Sequence, residues 1–456
     1  MKSGISILIV VFVAVFSSCN KKLDVPPQNT LTPDQIGSAD DIKAVLFGGY
    51  ATLQNANSLG EKYNTFGELL VHNGDLDWAG TFETYTDLFQ NSQVRTSPEV
   101  YRVWANSYHT INTANLVLSK LDVLIGDEKT EIEGEAKFLR AIAYYYLVNL
   151  YAQPYSSGNP AANPGVPLIL EPVTGYVPDR DKLPRASVEE VYALIVSDLE
   201  DGAAKMPEVA DDARATRYSA LALLSRVFLS QLKYAEAATA ANEVIESGEF
   251  SLTGTYAGAF NNASNSSEDI FAIQQTSQSN SGTSNFGMTT FYSSDPEGRG
   301  EIQVTNAHIA KYEANDSRKA FFYPGSSISG QNGNMTGKWR NLYRAIPVLR
   351  LAEMYLTRAE ANFRKGGAPI GPNTPLDDVN IIRARVNLTP LASIANVDVI
   401  VKERYLELAF EGDRFFTVKR LQLSVNGHPY DYEKLVLPIP QREIDLGNSL
   451  PQNPGY

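Results

Sequence analysis

The chain has 456 residues with 43% apolar side chains, a net charge of −13 and a single cysteine, Cys19. This length and apolar content suffice for one large core or two closely packed ones, and a lone cysteine excludes an internal disulfide or a thiolate metal site. The acidic balance argues against a nucleic-acid partner, because such binding depends on clustered Lys and Arg.

A signal for lipid attachment opens the chain. Lys2 precedes an apolar run at 5–16, and two serines separate that run from Cys19. The run is too short to cross the ~30 Å hydrocarbon core as a helix and matches an export signal. We therefore expect a lipoprotein signal peptide at 1–18, a lipid anchor on Cys19 and a polar, proline-containing tether at 19–32. A secretory signal with an incidental cysteine is the alternative.

The spacing of apolar residues predicts a mostly α-helical body. Ser38 with Asp41, and Ser187 with Glu190, are spaced as capping boxes at helix starts. The predicted helices span 38–57, 98–124, 129–151, 187–205, 216–231, 234–247, 348–365, 375–386 and 398–411.

Three of these helices share one apolar stripe. It recurs at offsets 0, 4, 7 and 8 from Leu139, Leu221 and Val348, which places the four side chains on one helical face. After the second copy, a short turn at 232–233 leads into an Ala-rich helix. This arrangement predicts paired helices of the tetratricopeptide type, interrupted by other material. Three generic amphipathic core helices are the alternative.

Two loop-rich segments interrupt the helical pattern. The first covers 71–93, and the second, at 248–337, is rich in Asn, Ser, Gly and Thr and contains a predicted strand at 269–274. Long loops on a rigid scaffold are where binding sites concentrate. We expect an N-terminal helical region at 33–240 and a C-terminal region at 241–456 that includes the second segment as an insertion.

Motifs of known catalytic sites are not evident in the sequence, and the four histidines are scattered. His72 near Asp75 and Asp77 is only a weak zinc candidate. Paired carboxylates for glycoside cleavage stay open, because their separation cannot be read from the sequence. We expect no metal, no cofactor and no catalytic residue.

The last hundred residues carry a family resemblance. In order, the segments 350–361, 380–385, 403–416, 437–441 and 452–456 resemble the signature of the SusD/RagB family. The resemblance implies a mostly α-helical, SusD-like scaffold of tetratricopeptide-type helix pairs, with the loop-rich, strand-containing insertion forming the ligand face. It also implies a non-catalytic lipoprotein of the outer membrane that faces the cell exterior. Such a protein binds oligosaccharide nutrient and delivers it to a SusC-like TonB-dependent transporter.

Three acids of this signature lie four residues apart, at Glu403, Glu407 and Glu411. On one helix they form a row, and we expect a structural role in which they pair with nearby arginines, namely Arg404, Arg414 or Arg420. The proline-rich end at 437–456 is expected to form a non-helical strap across the helices.

The ligand site is expected in the two loop-rich segments. Sugar rings present apolar faces to aromatic planes, and their hydroxyls need amides and carboxylates. The residues with that mixture are Asp75, Trp78, Phe82, Tyr85, Asn285, Phe291 and Tyr292. For each aromatic residue, burial in the core is the competing expectation. For the whole protein, the alternatives are peptide capture by the same architecture, a secreted glycosidase and a purely structural helical-repeat scaffold.

Overall fold

A computed structural model describes residues 36–175, 177, 182–210, 213–446 and 450–456 of the chain. The expected signal peptide at 1–18, the anchor Cys19 and the tether at 19–32 lie outside these ranges. Within them, no helix combines the length and the apolarity needed to cross a membrane.

The described chain is mostly α-helical, as the sequence predicts. Its helices are α1 Ala39–Gln54, α2 Lys62–Leu70, α3 Glu83–Phe89, α4 Pro98–Leu118, α5 Gly126–Tyr151, α6 Val188–Lys205, α7 Arg217–Ser230, α8 Tyr234–Glu246, α9 Met288–Tyr292, α10 Asn306–Ile309, α11 Leu351–Lys365, α12 Pro375–Arg385, α13 Val397–Glu407, α14 Asp413–Arg420 and α15 Gln441–Asp445. Both predicted capping boxes form, at Ser38 with Asp41 and at Ser187 with Glu190.

The long helices pack as successive neighbours. α4 contacts α5, α5 contacts α6, α6 contacts α7, α7 contacts α8, and α8 contacts α11. The apolar stripes that begin at Leu139 and Leu221 are buried within this array. At the crossing of α5 and α6, a Cβ on Gly134 would lie 3.2 Å from the carbonyl oxygen of Gly202, so a side chain there would force the helices apart.

Two small sheets complete the fold. The strands are β1 Leu76–Trp78, β2 Asp269–Ile273, β3 Ile302–Val304, β4 Phe322–Ser326, β5 Asn332–Thr336 and β6 Ile346–Arg350. One sheet has the order β1-β3-β5-β4, and β2 pairs with β6 in the other. β2 confirms the strand predicted at 269–274.

The prediction of a helix at 348–365 is wrong at its start. Ile346–Arg350 forms strand β6, with Arg350 opposite Asp269 and Ile346 opposite Ile273. The third apolar stripe therefore begins in a strand at Val348 and continues in α11. A short apolar run fits helical and extended periodicity equally well, so its pairing with β2 decides the outcome.

Two further corrections concern a helix boundary and helices that were not predicted. The helix expected at 398–411 ends at Glu407, because Phe410 and Gly412 adopt positive φ angles of 64° and 85°, and α14 then begins at Asp413. The first loop-rich segment contains helix α3, and α2 precedes it, although neither was predicted.

The signature acids lie in a buried cluster of opposite charges, which we call the buried ion network. Its members are Glu268, Glu403, Glu407 and Glu411 with Arg318, Lys338, Arg350 and Arg385. Arg350 Nε, for example, lies 2.7 Å from Glu411 Oε2. The structural role is therefore supported, but the expected partners are wrong.

The arginines expected to pair with the signature acids contact other groups. Arg404 pairs with Asp413, and Arg420 pairs with Glu360 at 2.6 Å. Arg414 lies over the ring of Tyr405, 4.8 Å from its centroid. The turn after α13 carries Glu411 away from the helical row, which accounts for this acid but not for Glu403 and Glu407, which lie within α13.

The C-terminal strap crosses the helices as expected. The Leu437 amide donates to the carbonyl of Leu150 at 2.7 Å, and the Asn453 side-chain amide donates to that of Tyr151 at 2.8 Å. The short helix α15 interrupts the extended course.

Candidate functional site

The four-stranded sheet brings the two loop-rich segments together. β1, from the first segment, pairs antiparallel with β3, from the insertion, and Trp78 lies opposite Ile302. Four rings from the two segments contact one another and form what we call the aromatic cluster, which consists of Trp78, Phe82, Tyr85 and Phe291. Four of the predicted ligand residues thus lie side by side.

The aromatic cluster has a buried base and a partly exposed face. Tyr85 stacks on Phe291 at a centroid distance of 4.7 Å and on Trp78 at 5.3 Å. Tyr85 and Phe291 are buried, whereas Trp78 and Phe82 keep part of their surface in solvent. The first pair therefore supports the second, and only Trp78 and Phe82 offer ring surface to a ligand.

Two contacts fix the orientation of Trp78. Its indole N–H donates to the hydroxyl of Thr86 at 2.9 Å. A Cβ on Gly80 would lie 2.4 Å from the indole ring, so only glycine lets the chain pass this close to it. The indole plane is thus held before any ligand arrives, which reduces the entropic cost of binding.

Polar side chains border the exposed rings. Arg299 lies over Phe82, with its guanidinium carbon 5.0 Å from the ring centroid. Arg299 Nη1 donates to the side-chain oxygen of Asn285 at 3.4 Å, and Nη2 pairs with Glu301 at 2.7 Å. Asn285 is exposed, so the amide predicted for this site lies at its rim.

A buried carboxylate beneath the rings joins the two segments. Glu61 accepts hydrogen bonds from the Tyr85 hydroxyl and, at 3.1 Å, from the Gly287 amide. Burial raises the pKa of the Glu61 carboxyl. The sequence reasoning missed Glu61, as it missed Arg299 and Glu301, because no local motif marks any of them.

Asp75 lies outside the aromatic cluster. Its carboxylate is buried and accepts hydrogen bonds from Lys311 and Tyr405, and His308 Nδ1 lies 3.4 Å from it. Burial alone would raise the pKa of Asp75, but hydrogen bonds from His308, Lys311 and Tyr405 outweigh it and lower the pKa to about 2. These contacts within the protein occupy the buried Asp75 carboxylate. It therefore has no exposed group for the ligand contact that we expected.

Tyr292 and His72 also serve packing. Tyr292 is fully buried, with its ring 6.4 Å from that of Phe410, so it has no surface for a ligand. His72 stacks on Phe89 at 4.1 Å. In the described part of the chain, no three His, Cys, Asp or Glu side chains are grouped as a metal site requires.

The site can stack a flat molecule with apolar faces and hydrogen-bond its polar edges. Trp78 and Phe82 supply the rings, and Asn285 and Arg299 supply the polar groups. Two carboxylates that contact residues of the site, Glu61 and Glu301, are fully buried. Neither is placed to act on a bond of a ligand bound at the exposed face.

Comparison with known proteins gives concordant family matches. A family described as "Starch-binding associating with outer membrane" matches residues 21–229, and the SusD family matches residues 314–432. The two matches together cover more than half of the chain.

Individual relatives agree with these matches. A SusD-like protein from Formosa agariphila is 30% identical over 55% of this chain and 46% of its own length, so the chain spans less than half of that protein. The starch-binding protein SusD from Bacteroides thetaiotaomicron is 23% identical over 98% of each chain.

A solved structure gives the same fold. The chain superposes on a SusD superfamily protein from Bacteroides vulgatus with a TM-score of 0.81 and 22% identity, over 92% of this chain and 99% of that one. The predicted fold class, a mostly α-helical SusD-like scaffold with a small strand-containing insertion, is confirmed.

Proposed function

This chain belongs to the SusD/RagB family, and from that premise we propose that it is an outer-membrane lipoprotein that binds oligosaccharide nutrient. It delivers the oligosaccharide, uncleaved, to a SusC-like TonB-dependent transporter. The family description names starch binding and outer-membrane association, which supports the general role. The transporter is inferred from the family resemblance.

The aromatic cluster is the observation that carries the binding proposal. Sugar rings place their C–H faces against aromatic planes, and their hydroxyls pair with amides and charged groups. Trp78, Phe82 and Asn285 offer this combination at the surface, where the two loop-rich segments meet. We propose these three as the ligand contacts, with Tyr85 and Phe291 as their support.

Binding without cleavage is the second part of the proposal. A glycosidase needs two carboxyl groups that flank the scissile bond, about 5 to 9.5 Å apart. Glu61 accepts hydrogen bonds from Tyr85 and the Gly287 amide, Glu301 pairs with Arg299, and both carboxylates are buried. Their burial supports capture of an intact chain.

Binding assays on the purified protein test this function. We expect affinity for one class of oligosaccharide on a glycan array and no loss of substrate during prolonged incubation. Binding to a peptide library instead would favour peptide capture by the same architecture. Release of shorter sugars would establish a glycosidase, and co-purification with assembly proteins but no transporter would favour a structural scaffold.

Localisation is tested separately. Cys19 lies outside the described residues, and its acylation is proposed from the sequence alone. Labelled palmitate should be incorporated into the wild type and not into Cys19→Ala. Protease added to intact cells should then remove the wild-type protein, if it faces the exterior as we propose. Labelling of Cys19→Ala would contradict the anchor assignment.

A further inference from the structure

Arg299 is the cation that a ligand on the exposed rings would meet. Its guanidinium lies against Phe82 and reaches the exposed Asn285. The side chain keeps 19% of its surface in solvent. A carboxylate or sulfate on a sugar would find a strong partner in a free guanidinium at this position, because such pairs form charge-assisted, bidentate hydrogen bonds.

The Arg299 guanidinium is not free, because the Glu301 carboxylate neutralises its charge. Glu301 Oε1 lies 2.7 Å from Arg299 Nη2, and the Glu301 side chain is completely buried. The backbone carbonyl of Glu301 accepts the Ala79 amide at 2.7 Å, which ties it to the first loop-rich segment. A Cβ on Gly80 would lie 2.8 Å from the Glu301 carboxyl carbon, so glycine leaves room for this carboxylate beside Trp78.

The second cation near the site is neutralised in the same way. Lys62 Nζ lies 5.0 Å from the centroid of the Phe286 ring, and Glu99 Oε2 lies 2.9 Å from the same nitrogen. The Lys62 side chain is completely buried. In the described part of the chain, each cationic side chain that lies over the ring of Phe82 or Phe286 thus has a carboxylate partner.

The charged residue next to Phe82 in the chain is acidic. Glu83 follows Phe82 directly and is exposed. An anionic ligand on the exposed rings would approach this like charge, and it would have to compete with Glu301 for Arg299. A neutral sugar hydroxyl accepts a hydrogen bond from Arg299 without either penalty.

We propose that Glu301 sets the charge selectivity of the binding site. By neutralising Arg299 it makes the site accept neutral oligosaccharides and reject those that carry carboxylate or sulfate groups. This inference depends on the proposed function, because it concerns which glycans the aromatic cluster binds. It assigns a specificity role to a fully buried residue that does not itself reach the ligand.

The first experiment compares matched ligands on the wild-type protein. Neutral oligosaccharides of glucose, mannose and xylose are placed on an array, each beside its carboxylated derivative with the same linkage. At an ionic strength of about 0.15 M, where distant surface charges are screened, we expect the neutral member of a binding pair to bind at least about tenfold tighter, as the loss of roughly one hydrogen bond to a charged group implies.

The second experiment releases the charge of Arg299. Glu301→Gln keeps the shape of the side chain and removes its charge, so the preference for the neutral ligand should fall by about tenfold. Glu297→Gln changes the net charge equally but does not touch Arg299, and it should keep the wild-type preference. The double variant Arg299→Gln/Glu301→Gln lacks the released guanidinium, so it should bind the carboxylated ligand no more tightly than the wild type does.

These outcomes separate the inference from the proposed function. If carboxylated glycans bind the wild type as tightly as neutral ones, the inference is wrong while glycan binding stands. If the wild type prefers neutral glycans and a folded Glu301→Gln keeps that preference, Glu301 is not the determinant. If no glycan of either kind binds, the proposed function fails first. If Glu301→Gln does not fold, Arg299→Gln gives a second test: it removes the cation that Glu301 neutralises and should not tighten binding of the carboxylated ligand, and tighter binding would contradict the inference.

Discussion

In the C-terminal half, a network of buried charged side chains joins several elements of the fold, whereas the aromatic cluster is built from rings. Arg350 bridges Glu268, Glu407 and Glu411 with almost no exposed surface. Tyr85, the centre of the aromatic cluster, instead contacts the rings of Trp78 and Phe291. Both regions are densely packed, but only the second keeps part of its groups in solvent.

This difference separates the residues of the family signature from those that we propose as ligand contacts. Arg350, Glu407 and Glu411 all belong to the signature segments, and all of them lie in the buried ion network. The rings of the aromatic cluster belong to none of those segments. The signature therefore identifies the scaffold and carries no information about the substrate.

Breaking the buried ion network should cause the largest loss of stability. Glu407→Gln removes the carboxylate that pairs with Arg318, Arg350 and Arg385, and it leaves three buried guanidinium groups undercompensated. Removing one partner of a buried ion pair costs about 3 to 5 kcal/mol. Urea unfolding should show this loss. A cost below about 1 kcal/mol would mean that the network adds little to the stability of the scaffold.

Removing the charge of a buried acid that has no cation partner should raise the stability of the protein, whereas Glu407→Gln should lower it. Glu68 accepts the Gly412 amide at 2.8 Å and forms no ion pair in the described part of the chain. Burial raises its pKa from 4.5 to about 7. Because the folded pKa exceeds the unfolded one, the stabilising effect is complete below about pH 4.5 and is lost as the pH rises through 7.

Glu68→Gln should remove that pH dependence. A shift of this size corresponds to roughly 3 kcal/mol, so the variant should exceed the wild type in stability by up to that amount at pH 8. The two proteins should converge as the pH falls below 4.5, because Glu68 then becomes protonated in the unfolded state as well. Thermal unfolding across this pH range measures the difference. Parallel curves would show that Glu68 does not titrate with folding.

A substitution in the aromatic cluster should weaken ligand binding without unfolding the protein. Trp78→Ala removes a partly exposed stacking surface, and we expect binding of an oligosaccharide found on the array to weaken by about 1 to 3 kcal/mol. Calorimetry measures the affinity, and a thermal scan confirms that the variant is folded. Phe363→Ala is the matched control, because that ring is 36% exposed on α11, away from the sheet.

Two results would contradict this assignment. Unchanged affinity in Trp78→Ala would remove Trp78 from the ligand contacts. Equal weakening in Phe363→Ala would place the ligand on the helical scaffold instead of the loop-rich face.

Local patterns in the sequence predicted the long helices but missed several short ones, and a distant contact accounts for the error at the start of α11. Ser38 with Asp41 fixes a helix start within four residues, so that prediction held. Val348 fits a helical stripe, but its strand pairs with residues almost eighty positions earlier. No local pattern contains that information.

The same limit applies to the site. Trp78, Phe82, Tyr85 and Phe291 were found because the mixture of rings and amides is visible in composition. Composition does not show which of these rings are exposed and which support them. It also does not show the role of Glu61, because that role depends on the Gly287 amide, 226 positions away. Non-local contacts decide which ring meets solvent.

The smallest loss of stability should come from a Glu→Gln substitution in an ion pair on the surface. Glu243 pairs with Arg217 at 3.0 Å, but the two side chains remain 43% and 35% exposed. Water and salt already solvate these charges, so Glu243→Gln should cost less than about 1 kcal/mol in the urea assay used for Glu407→Gln. The two variants change the same atoms, and only burial and the number of partners differ. Equal losses would show that burial does not distinguish these ion pairs, and the contrast between scaffold and ligand face would then need another physical basis.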